Sequence, residues 1–318
     1  MSRYRTELPQ LQGSVFLTDS GLETDLIFNH GLELPEFASF VLLDDEAGST
    51  ALRRYIDAHV KVAREHGAGI VLETATWRAN HDWATQLGYD DAALADINRR
   101  AVQLLVEVRE ANPDVAVVIS GVLGPRDDGY QPASRMSATE AQEYHAVQVQ
   151  TFADTDVDLV HAMTMTYANE AIGVACAAGA ADVPVAISFT VETDGHLPDG
   201  STLEDAVSTV STVDDATNAG VTYYGVNCAH PTHFAHLLDR NQQWTQRLRS
   251  LRANASRMSH AELDNAEHLD AGDPIELGAE YAAIRDKLPN LTILGGCCGT
   301  DVRHVEAIAR TCLSSAQT

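Results

Sequence analysis

Apolar runs rich in β-branched residues recur along this chain at nearly even spacing, with amphipathic stretches between them. They fall near 15–20 (VFLTDS), 69–77 (GIVLETATW), 115–124 (VAVVISGVLG) and 157–165 (VDLVHAMTM). Further runs lie near 184–191 (PVAISFTV), 222–228 (TYYGVNC), 251–256 (LRANAS, the weakest) and 291–297 (LTILGGC). Near-continuous apolar runs of this length suit parallel strands covered on both faces. Between them, Leu52, Tyr55, Ile56, Val60 and Ala63 keep i, i+3, i+4 spacing, as do Leu94, Ile97, Ala101, Leu105 and Val108. Ser137 with Glu140, and Ser201 with Glu204, have the spacing of capping boxes just before helical stretches. Val305, Ile308, Ala309 and Cys312 give the last helix an inner face.

Eight β-then-α units predict one (β/α)8 TIM barrel over residues 1–318, with its core at about 13–312. A doubly wound sheet is the alternative, but no strand is followed by a GxGxxG turn. The polar stretch 257–274 is long for a barrel loop and reads as a binding loop or as a solvated surface excursion.

Composition narrows the partners. The chain has 318 residues, 45% of them hydrophobic, enough for a large core. Its formal charge of −25, with Lys61 and Lys287 its only lysines, predicts neither nucleic acid nor membrane as a partner. No run reaches the roughly 18 apolar residues that cross a bilayer. The N-terminal MSRYRTELPQLQG has no apolar signal stretch, and five cysteines, an odd number, argue for reduced thiols. A cytoplasmic location is therefore expected, while oligomeric state is left open.

Barrel sites form at the C-terminal ends of the strands. Asp19, Thr74 with Trp77, Cys228, and Cys297 with Cys298 lie at such ends, on strands 1, 2, 6 and 8. Three thiolates suit Zn2+ and leave the fourth tetrahedral position open, so Cys228, Cys297 and Cys298 are the expected metal ligands and catalytic residues. Gly295, Gly296 and Gly299 would let the chain turn tightly enough to aim neighbouring sulfurs at one ion. Asn227, just before Cys228, could orient that strand end. A disulfide between Cys297 and Cys298 is the competing reading. Cys176 and Cys312 read as helix-borne packing residues, and His230 as a loop histidine.

DSGLETDL at 19–26, SFTVETDGHLPDGSTLEDA at 188–206, GVNC at 225–228 and GGCCGT at 295–300 together resemble the homocysteine S-methyltransferase family. The resemblance implies a zinc-bearing barrel with Cys228, Cys297 and Cys298 as ligands. It also implies that Asp19 and the Ser20–Gly21 backbone hold the amino-acid part of a thiol substrate, with Thr74 adding a polar contact. The expected partners are a small-molecule thiol acceptor, by default homocysteine, and an onium methyl donor. S-Methylmethionine, S-adenosylmethionine and a betaine-type ammonium all fit. Coordination removes the thiol proton, so no general base is needed, and Trp77 is the expected cation–π seat for the donor.

Two positions depart from the family. Where it usually has a Glu on strand 4 to receive the substrate ammonium, this chain has Met163; Glu73 and Glu192 are the possible substitutes. Arg78 stands where relatives carry an uncharged residue, and could bind a carboxylate or pair with Asp82. Another thiol or a selenol as acceptor, a non-catalytic zinc- or thiol-binding protein, and a redox cysteine pair are the alternative readings.

Overall fold

The computed structural model describes residues 2–130, 134–217 and 219–313. Eight parallel strands close into a barrel in chain order: β1 (Phe16–Leu17), β2 (Gly69–Glu73), β3 (Val117–Leu123), β4 (Leu159–Met165), β5 (Val185–Phe189), β6 (Val221–Asn227), β7 (Leu248–Ala253) and β8 (Ile293–Gly296). Helices Glu46–Glu65, Asp91–Ala111, Ala138–Ala153, Ala168–Ala180, Leu203–Thr217, Pro274–Lys287 and Val302–Leu313 cover it. The chain is a (β/α)8 TIM barrel. After β6 two short helices, Pro231–Phe234 and Gln243–Gln246, replace a long one. The intervening polar run Asp239–Arg240–Asn241–Gln242 offers no apolar stripe to bury.

Two differences from the expected elements have local causes. The seventh strand begins at Leu248, three residues before the expected 251. Its pattern is broken by Arg249 and by Arg252, whose guanidinium points into the barrel. The helix after β5 is capped by Thr202, whose Oγ1 accepts from Asp205 N at 3.0 Å, while Ser201 bonds back to Asp199. The Ser137–Glu140 capping box forms as the spacing predicts.

Period-two alternation sorts the interior into layers. Phe16, Val71, Val118, Leu159, Ala186, Tyr223 and Ile293 form an apolar layer closed from below by Leu8. Two residues further along the strands come Glu73, Ser120, His161, Ser188 and Arg252, all buried. This polar layer is the floor of the mouth. His161 spans it, with Nδ1 2.7 Å from Glu73 Oε1 and Nε2 2.7 Å from Ser188 Oγ.

Candidate active site

Cys228 follows β6 directly, and Cys297 with Cys298 follow β8. The backbone aims them. Cys228 N–H donates to Arg252 O on β7 at 3.1 Å, and Cys297 N–H donates to Ala253 O at 2.8 Å. Cys228 has φ +54°, a left-handed conformation uncommon outside glycine, which turns its side chain out of the strand direction. His260 Nε2 holds the Cys228 carbonyl at 2.7 Å. Gly299, at φ +79°, provides the turn after the cysteine pair. Gly295 and Gly296 serve by close approach: a Cβ there would strike the Thr18 and Thr300 hydroxyls.

The three sulfurs lie within 4.8 Å of one another, and Cys228 Sγ is 3.8 Å from Cys298 Sγ. All three are free thiols rather than disulfides. Tetrahedral zinc with Zn–S bonds of about 2.3 Å separates its sulfurs by about 3.8 Å, so the donor set fits that ion. As the cluster stands, hydrogen bonds from Cys228 and Cys298 pull the Cys297 thiol well below its usual pKa, and the thiols of Cys228 and Cys298 are pushed up. Cys176 is half-buried and Cys312 buried, both far from this arrangement in the covering helices.

All ten residues singled out from the sequence line one cavity of about 410 Å³ at the barrel mouth. Their roles in the fold differ. The Ser20 N–H donates to Tyr55 Oη at 3.0 Å, and Gly21 N–H donates to Thr300 Oγ1 at 3.1 Å, so both amides already have acceptors. Ser20 Oγ is also 2.9 Å from His59 Nε2. Thr74 Oγ1 accepts from Val122 N at 2.8 Å and lies 2.6 Å from Thr76 Oγ1. Asn227 fastens β4 instead of touching the cysteines: its side chain bonds Thr164 N and Thr164 Oγ1, both at 2.8 Å. Thr164 has φ +59° where the β4–β5 register shifts, and Met163 beside it forms part of the cavity wall.

Three features escaped the sequence reading. Arg252, buried on β7, contacts Asp19 Oδ1 at 2.6 Å and pairs with Glu73. Two carboxylates thus share one guanidinium. Glu73, although buried, is drawn below its usual range by Arg252 and His161, whereas burial lifts Asp19 to about 7. Tyr130 reaches in from the loop after β3, its hydroxyl 3.6 Å from Cys298 Sγ and its ring stacked 3.8 Å from that of His260. Glu23, within the DSGLETDL segment, faces the same cavity. A charged residue on a barrel strand was the one available signal for Arg252; Tyr130 had none.

Arg78 pairs with Asp128 at 3.3 Å, while Asp82 pairs with Arg126 at 2.7 Å. The Arg78 guanidinium covers the Trp77 ring at 4.4 Å, so one face of Trp77 already holds a cation. Glu192 is turned toward His260, 3.0 Å from its Nδ1. The stretch 257–274 contains the helix His260–Asp264, capped by Ser259 with Glu262, and contributes Asp264 and Asp270 to the cavity wall.

Comparison with known proteins gives the site its chemical context. The family model for homocysteine S-methyltransferase matches residues 16–312. The chain belongs to the homocysteine S-methyltransferase family. It is a methyltransferase. Among solved structures, the oxidised form of the homocysteine methyltransferase MmuM from Escherichia coli is similar, with a TM-score of 0.74 at 22% identity, over 93% of this chain and 95% of that one. Its metallated form gives a TM-score of 0.70 at 21% identity, over 93% and 96% of the two chains. No curated protein matches this sequence. Among the described residues, no helix is long and apolar enough to cross a membrane.

Proposed function

We propose that this protein transfers a methyl group from an onium donor to the thiol sulfur of homocysteine, at a zinc ion held by Cys228, Cys297 and Cys298. The observation that carries this reading is the sulfur triangle itself, with its 3.8 Å edge, at the C-terminal mouth of the barrel. Zinc bound there would deprotonate the acceptor thiol, which otherwise is only a few per cent thiolate at neutral pH.

The chain's own residues supply the remaining conditions. The new S–CH3 bond forms as the donor's C–S or C–N bond breaks, and the bonding pair stays on the leaving atom. The thiol proton goes to solvent. Charge is lost in this step, so a partly dry pocket favours it. The cavity wall carries Asp19, Glu23, Glu73, Asp128, Asp264 and Asp270 against Arg78 and Arg252. That excess of carboxylate supports a cationic donor. Tyr130, its hydroxyl beside Cys298, would help exclude water from the sulfurs. A cytoplasm that keeps thiols reduced is the setting this chemistry needs.

A second reading keeps the metal site and changes the acceptor to a thiol or selenol without an amino group. Met163 favours it, because a thioether cannot neutralise an ammonium, and Asp19 is already engaged by Arg252.

The test is metal analysis followed by a matrix of donors and acceptors read by mass spectrometry. One zinc per chain and methylated homocysteine are expected with at least one onium donor. Cys298→Ser is expected to lower both zinc content and turnover, the latter by more than about a hundredfold, beyond the loss typical of an outer partner. Full zinc content with no transfer from any donor would contradict the assignment.

A further inference from the structure

The geometry points to Glu23 and Arg78 as the receiver for the amino-acid end of the acceptor, replacing the carboxylate that β4 lacks. This rests on the thiol-methylation reading and names the side chains that hold its acceptor: a carboxylate for the α-ammonium and a guanidinium for the α-carboxylate.

Both residues line the cavity that contains the three sulfurs. Arg78 is 8% exposed, and its Nε has no hydrogen-bond partner among the described residues, an unusual cost for a buried donor. Its other contacts are long: 3.4 Å to Asp127 O and 3.3 Å to Asp128 Oδ2. The plane of the guanidinium is nevertheless fixed, between the rings of Trp77 at 4.4 Å and Trp83 at 3.8 Å. A guanidinium with a set plane on the cavity wall, held only by long hydrogen bonds, is prepared for a carboxylate.

Glu23 provides the opposite charge. Ser39 Oγ donates to its Oε1 at 2.7 Å, which anchors the carboxylate from behind. Glu23 shares the cavity wall with Cys297 and Arg78. The other carboxylates near the sulfurs, Asp19 and Glu73, are already engaged by Arg252.

Three thiols separate the two contacts: homocysteine, its des-amino analogue 4-mercaptobutanoate, and its des-carboxy analogue 3-aminopropanethiol. Their affinities for zinc-loaded protein are measured by calorimetry, without a methyl donor, so the readout does not depend on turnover. Wild type is expected to bind homocysteine at least tenfold tighter than either analogue. Glu23→Gln should weaken the two ammonium-bearing thiols about tenfold and spare 4-mercaptobutanoate. Arg78→Met should weaken the two carboxylate-bearing thiols and spare 3-aminopropanethiol. Zinc content and melting temperature of each variant report whether it folds. Equal effects on all three thiols in folded variants, or wild-type indifference to the amino group, would overturn the receiver and leave methyl transfer standing. Failure of wild type to take up zinc or to bind any thiol would remove both proposals.

Discussion

His59 shows how one side chain ties the mouth to the covering helix. It lies one turn after Tyr55 on Glu46–Glu65, so the two point together at the end of β1. Its Nδ1 is 2.9 Å from Tyr55 O, which sets the tautomer, and leaves Nε2 to accept from Ser20 Oγ at 2.9 Å. Burial lowers the His59 pKa from 6.5 to about 4, so the folded protein keeps it neutral where the unfolded chain takes up a proton. Stability from this residue is therefore present at and above pH 6.5 and is lost as pH falls toward 4. The stability difference between wild type and His59→Gln is expected to shrink by up to about 3 kcal/mol across that window. Denaturant titrations at a series of pH values measure it; a difference independent of pH would contradict a buried neutral imidazole.

At the level of elements, the strands supply two kinds of interior. Their lower halves are apolar, while their upper halves carry Glu73, His161 and Arg252 in one linked network. Removing Arg252 would leave Asp19 and Glu73 buried without their shared cation. Arg252→Met is expected to cost about 3–5 kcal/mol, the usual consequence of breaking a buried ion pair from one side. Adding Glu73→Gln should recover part of that loss. Chemical denaturation of the single and double variants checks it, and additive losses would show that the two groups do not interact.

The same network explains what could be read beforehand. Seven strands announce themselves because their apolar runs face the helices and the lower core, as in Val117–Leu123. The seventh strand, β7, was weak since Arg252 looks like a surface residue until its two carboxylate partners, 179 and 233 positions away, are known. Cys228, Cys297 and Cys298 were legible because strand ends converge in a barrel whatever the loops do. Contacts made by loops were not. Tyr130 meets Cys298 across 168 residues of sequence, and the bond from Asn227 to Thr164 depends on a register shift in β4 that no local pattern encodes. Trp77 illustrates the same limit: its place at the mouth was evident, whereas the guanidinium over its ring was not.

For the whole molecule, a net charge of −25 and a carboxylate-rich mouth belong to one electrostatic picture. On the proposed reading a cationic donor would be drawn in, while the thiol would have to be retained by something other than general attraction. The proposed holding point is the sulfur triangle, where a zinc ion would keep a corner for a fourth sulfur. X-ray absorption at the zinc edge, on purified protein before and after adding homocysteine, observes this directly. Three sulfurs at about 2.3 Å with one lighter atom are expected, becoming four sulfurs once the thiol is present. A zinc shell that homocysteine leaves unchanged, or no zinc bound to these cysteines, would contradict it.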